Sequence, residues 1–195
     1  MVKRFDRRQL LGMVAGALGS AALAGRATAR AANAAPPLPV PSSDGLRLGL
    51  ISDLNSSYGS TTYIPTVHQG LSHLLALHPD LVVCAGDMVA GQKRGLNATQ
   101  LDRMWDGFAR DVLQPVRGQG VPFLPAIGNH DGSPGFTADR LAAARFWQAR
   151  RQGLGLQFVD SGGFPFHYSV VQNTVFWLVW DASSSRIPAE QLRWA

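Results

Sequence analysis

The chain has 195 residues, 46% of them hydrophobic, which is enough for one domain with a buried core. Its formal charge of +5 is local, because Lys3, Arg4, Arg7, Arg8, Arg26 and Arg30 stand against Asp6 alone in the first thirty positions and leave 12 basic and 12 acidic residues in the remainder. That balance removes the basic footprint of a nucleic-acid binder, and the single cysteine, Cys84, excludes an internal disulfide.

Residues 1–31 read as an export signal, with a basic start, an apolar stretch from Leu10 to Ala24 and small residues around Ala27-Thr28-Ala29 and Arg30-Ala31 where a peptidase can cut. The apolar stretch is shorter than the roughly 20 residues a spanning helix needs, so no stable membrane anchor is expected. Asp6-Arg7-Arg8-Gln9-Leu10-Leu11 resembles the twin-arginine signal of bacteria. That resemblance implies transfer of an already folded protein by the export machinery, to the periplasm or otherwise out of the cell. Residues 32–45 are Ala- and Pro-rich without periodicity and read as a linker, which leaves 46–195 as the folded domain.

Within that domain, Arg47 to Ser52 reads as a strand running into Asp53-Leu54-Asn55. A helix is expected over Ile64 to His78, where Val67, Leu71 and Leu74 share a face, Pro65 suits the first turn and Pro79 stops the run. Leu81 to Gly86 is a second apolar strand, ending at Asp87; Cys84 within it reads as a buried small hydrophobe. The next helix has Thr99 and Asp102 as a capping pair, Leu101, Trp105, Phe108 and Val112 as its stripe, and Pro115 as its close. Phe123 to Ile127 is a third strand, and it runs into Gly128-Asn129-His130-Asp131. A third helix follows from Thr137 to Arg151, with Gly153 just beyond. After Gly155 the pattern turns to strands over Leu156 to Val159, Phe166 to Val171 and Val175 to Trp180, the last two joined by a hairpin at Gln172-Asn173-Thr174. The apolar run through Phe176 to Trp180 suggests a strand covered on both faces. Pro188, Glu190 and Gln191 begin a final helix.

Three strands separated by helices are expected to be parallel, with their C-terminal ends on one edge. Ligands of open α/β sheets bind at that edge. Asp53, Asp87, Asn129 and His130 are therefore expected to converge. Clustered carboxylates repel one another unless a cation neutralises them, and oxygen plus imidazole donors suit Mg, Mn, Fe or Zn.

Asp53-Leu54-Asn55, Gly86-Asp87 and Gly128-Asn129-His130-Asp131, in that order, resemble the motifs of the calcineurin-like metallophosphoesterases. The resemblance runs from about Leu46 onward. It implies an α/β protein, a four-layer α/β/β/α sandwich, in which two divalent metal ions activate water against a small phosphate-ester substrate. On that resemblance Asp53 ligates the first metal, Asp87 bridges both, Asn129 binds the second, and His130 acts as general acid with Asp53 or Asp131 holding its imidazole. Asn55 stands where the family usually has histidine. It offers a neutral carbonyl oxygen and shifts that position toward Mg or Mn. No histidine follows His167, so the family's later ligands have no counterpart. The expectation is a domain cut short at its C-terminus that supplies half of a two-metal site.

Lys93 and Arg94, in the Gly91 to Gly95 loop, are candidates to neutralise substrate phosphate. Ser56-Ser57-Tyr58 allows a substrate contact or, with Gly59, a turn. Asp131 reads as a loop-fixing residue, His68, His73 and His78 as surface or partly packed residues, His167 as structural, and Asp181 as a helix-entry or loop contact. The function expected is an exported metal-dependent phosphate-ester hydrolase. Its rival is a non-catalytic metal- or phosphate-binding module, or an inactive fragment.

Overall fold

The structure, a computed structural model, describes residues 45–55 and 57–195. The export signal, and the linker but for Gly45, lie outside the described residues. Among the described residues no helix is long and apolar enough to cross a membrane.

The fold is mixed α/β, with a parallel sheet followed by an antiparallel one. Strands β1 (Leu48–Ile51), β2 (Leu81–Cys84) and β3 (Phe123–Pro125) form the parallel sheet in chain order. Register pairs Leu48 with Leu81 and Leu50 with Val83, so these four share one face, while Gly49, Ile51, Val82 and Cys84 share the other. Strand order that follows chain order puts right-handed crossover helices on one side of a sheet. Helix α1 (Pro65–Ala76) obeys this by laying Leu74 on Gly49, where a Cβ would stand 2.8 Å from the Leu74 side chain. Its Pro65 occupies the first turn, and Ile64 caps it without a side-chain hydrogen bond.

Helix α2 (Ala98–Phe108) starts two positions earlier than Thr99 and Asp102 suggest. Its capping box is Asn97 with Gln100: the Asn97 side chain accepts from Gln100 N–H at 2.9 Å, and Gln100 Oε1 accepts from Asn97 N–H at 3.0 Å. A carboxamide two positions upstream outcompetes the hydroxyl because Asn97 and Gln100 between them serve both orphan donors. Nor does Pro115 end the helix. The chain widens into a π-helical turn at Ala109–Leu113 and continues as α3 (Gln114–Gly118), with Pro115 in the new first turn. The wider turn accommodates a residue that has no N–H to donate and a ring that would collide with the preceding turn.

After β3 come a one-turn helix, α4 (Asn129–Gly132), where a loop was expected, and α5 (Thr137–Arg150). A 3₁₀ turn, Arg151–Leu154, prolongs α5, so the left-handed stop is Gly155 at φ 72° and not Gly153. Trp105, Phe108, Phe123, Phe146 and Trp147 pack together between α2, β3 and α5, with ring centroids from 4.7 Å for Trp105–Phe146 to 6.1 Å for Phe108–Phe146. Cys84 lies in the same core, fully buried.

The antiparallel sheet holds β4 (Gln157–Gly163), β5 (His167–Gln172) and β6 (Val175–Val179). β5 and β6 turn through Asn173 and Thr174, both at positive φ, as a two-residue hairpin with matching twist requires. Tyr168 ties this sheet to the first, its hydroxyl donating to the Pro125 carbonyl at 2.5 Å. β6 is not covered on both faces: Phe176 is 58% exposed and Leu178 is exposed beside it, while Val179 is buried. A strand at a sheet edge keeps one face toward the core, and its apolar run extends onto the other. Helix α6 (Ala189–Trp194) packs back through Trp194, whose indole N–H donates to Asp160 at 2.6 Å and whose ring meets His167 edge-on. His167, expected to be structural, packs in β5 against α6.

Candidate functional site

At the C-terminal edge of the parallel sheet, the first loop is laced to the second by backbone. Asp53 N–H donates to the Gly86 carbonyl at 3.2 Å, and the Asp87 carbonyl accepts from Leu54 N–H at 3.0 Å and Asn55 N–H at 3.3 Å. The second loop meets the third through bare glycine. A Cβ on Gly86 would stand 2.7 Å from Gly128 N and Cα, and one on Gly128 would stand 2.2 Å from Asp87 Oδ1. Only a residue without a side chain permits that approach. His130 N–H then donates to Asp87 Oδ1 at 3.0 Å, and the His130 carbonyl accepts from Gly91 N–H at 3.1 Å.

The loops carrying Asp53, Asn55, Asp87, Asn129 and His130 are thus joined. Asp53, Asp87 and Gln92 all sit at left-handed φ, 54°, 52° and 59°. Such conformations cost of order 1 kcal/mol or more each and persist where neighbours over-determine them.

Asp131 is the internal tie. Fully buried, its carboxylate accepts from Val89 N–H and Gly128 N–H, both at 2.9 Å, and so joins the second loop to the third. Burial pushes its acid up to about 7, against the pull of those two N–H groups and with the Asp87 charge adding. Tyr63 braces the same loop by donating to the Met88 carbonyl at 2.6 Å, and burial pushes its phenol well above the usual range. The Cys84 thiol, beneath the loops, is likewise raised by burial and so stays a neutral core group.

His130 differs from expectation in one respect. Asp131 has both oxygens on backbone donors, and His130 Nδ1 is buried without a hydrogen-bond partner among the described residues. The Tyr58 ring lies against the imidazole instead, with centroids 5.3 Å apart and planes at 38°.

Lys93 and Arg94 are exposed on the loop after Asp87. Gln92 N–H fastens that loop to α5 by donating to Asp139 at 2.8 Å, and Gln92 Oε1 accepts from Asn129 Nδ2 at 3.3 Å. Burial raises the Asp139 acid. Gln92 carried no signal in the sequence, since a lone loop glutamine fits no pattern. Arg140 was missed too: it donates to the Gly132 carbonyl at 2.8 Å, pairs with Asp181, and lies 3.5 Å from the centroid of Phe166. It thereby links α4 to the segment after β6, where Asp181 makes the loop contact expected of it. A cavity of about 430 Å³ beside Arg140, Asp181 and His167 includes none of the converging loop residues.

A family model described as calcineurin-like phosphoesterase matches residues 46–190. The chain belongs to that family. No curated protein matches it. Membership supports phosphoester hydrolysis aided by metal, and calcineurin-like phosphoesterases generally bind two divalent ions.

The donors here match that chemistry in part. Asn55 Nδ2 donates to the Val89 carbonyl at 3.4 Å and Asn129 Nδ2 to Gln92 Oε1 at 3.3 Å, which leaves their amide oxygens as neutral donors on the loops that also carry Asp53 and Asp87, while the Asp53 carboxylate accepts from Ser52 Oγ at 2.5 Å. An oxygen-only set suits one hard cation such as Mg or Mn. Among the described residues no three His, Cys, Asp or Glu side chains come together as a metal cage, so this set falls short of two full shells.

Proposed function

We propose that the protein is an exported, metal-dependent hydrolase of small phosphate esters, with Asp53, Asn55, Asp87 and Asn129 as metal-holding residues and His130 as the proton donor. In this reading residues 1–31 carry it out of a bacterial cell and are removed, 32–45 tether the domain, and the two sheets form the inner layers of an α/β/β/α sandwich. The observation that carries it is the convergence of the Asp53, Asp87 and His130 loops through the Gly86–Gly128 approach and the Asp87–His130 hydrogen bond.

A divalent ion held there supplies Lewis-acid polarisation and a water of lowered pKa. The chain's own residues do the rest. Asp87 Oδ1 accepts from the His130 N–H and so holds that backbone beside the Asp87 carboxylate. With Nδ1 turned inward, Nε2 is the nitrogen left to protonate the departing oxygen. Lys93 and Arg94 offset the phosphate charge from the rim, where solvent screens them and makes their contribution small.

Hydrolysis of 4-nitrophenyl phosphate with added Mn tests this reading. Turnover that requires Mn is expected, and Asp87→Asn should lower it at least ~100-fold while circular dichroism stays unchanged, because loss of a ligand exceeds the effect of losing an outer partner. Wild-type protein that binds Mn without turning over substrate overturns it. A second reading, a non-catalytic metal- or phosphate-binding module, draws on Asn55 and on the missing three-residue cage. Calorimetry showing tight Mn or phosphate binding in an inert protein would favour that reading.

A further inference from the structure

Tyr58 is a large side chain kept out of the core, 54% exposed, yet its ring packs on the imidazole of His130. The turn that carries it is fixed to the same frame. Gly59 N–H donates to the Ala90 carbonyl at 2.8 Å, Ser60 N–H to the Ser57 carbonyl at 2.9 Å, and the next residue after Ala90, Gly91, bonds the His130 carbonyl. Ring and imidazole therefore hold their relative position through backbone, with much of the ring left facing solvent.

A leaving group whose oxygen takes its proton from His130 has to pass beside that nitrogen, and so beside the Tyr58 ring. Lys93 and Arg94 attract the phosphate alone and give no preference for what departs. An exposed ring face prefers a second flat ring over an alkyl group. Resting on the phosphoesterase reading, we propose that Tyr58 is the specificity-determining wall of the site and selects phosphate esters with planar aromatic leaving groups, aryl or base-bearing, over small alkyl ones.

Calorimetric titration of the Mn-treated full chain with phenylphosphonate and with methylphosphonate tests this without turnover. Phenylphosphonate should bind about three- to tenfold more tightly, the range an aromatic pair supplies. Tyr58→Ala should abolish that preference, bringing the two affinities together, whereas Tyr58→Phe should retain it. Equal affinities in the wild type, or a preference that survives in Tyr58→Ala, overturns the proposal and leaves the phosphoesterase reading standing. If neither phosphonate binds, the phosphoesterase reading fails and takes this one with it.

Discussion

Under the parallel sheet and beyond its strand ends, the same three strands are held by opposite means. Beneath it, Trp105, Phe108, Phe123, Phe146 and Trp147 pack ring on ring, and the indole N–H groups of both tryptophans are buried with no partner among the described residues. Apolar contact there outweighs two unmade hydrogen bonds. Beyond the strand ends, Met88, Val89 and Ile127 still reach into that core, but the loops are also tied to one another by polar groups. They are held by backbone hydrogen bonds, by the Asp131 carboxylate and by two glycines in van der Waals contact. Packing tolerates a misplaced atom by local repacking, whereas a hydrogen-bonded loop fixes the backbone that carries each carboxylate. The first region sets stability and the second sets geometry.

Two substitutions separate the regions, and the larger effect lies below the sheet. Trp147→Ala should cost about 3–5 kcal/mol of stability, read from the urea midpoint, because a fully buried indole leaves a cavity. A loss under about 1 kcal/mol would mean that this layer repacks freely and that the contrast is false. Asp131→Asn should cost less, about 1–3 kcal/mol, because an amide accepts from only one of Val89 and Gly128 and turns an N–H toward the other. It should also change the pH dependence. The folded-state acid at about 7 lies above its unfolded value near 3.9, so the native state binds that proton more tightly between the two. The contribution of Asp131 is therefore full below about pH 4 and is lost as pH rises through about 7. Denaturation of the metal-free protein should show this decline in the wild type and a flatter profile in Asp131→Asn. A steeper decline in the variant would contradict the assignment.

Most of the first region was legible in the sequence, because burial imposes periodicity. Leu101, Trp105 and Phe108 announce α2 at helical spacing, and the strand-end residues Asp53, Asp87 and Asn129 stand out because each breaks an apolar run. What failed to show were features decided by competition or by tertiary contact. Asn97 displaced Thr99 as the cap, a π-turn carried the chain past Pro115, and Gly155 rather than Gly153 took the left-handed position. The site shows the same division. Residue types named Asp53, Asn55, Asp87, Asn129 and His130, but Gln92, Arg140 and the Tyr58–His130 packing depend on which loops meet, and no local pattern encodes that.

The antiparallel sheet gives the smallest and sharpest test. Phe176 lies opposite Val171 on the face of β6 away from the core, and both its exposure and that of Leu178 contrast with buried Val179. Because Phe176 is mostly exposed, Phe176→Ser should change stability by no more than about 0.5 kcal/mol, as exposed substitutions do. The same urea titration checks it. A loss comparable to that of Trp147→Ala would show that this face is packed in solution, and the division between a buried helical side of the first sheet and an open outer side of the second would have to be redrawn.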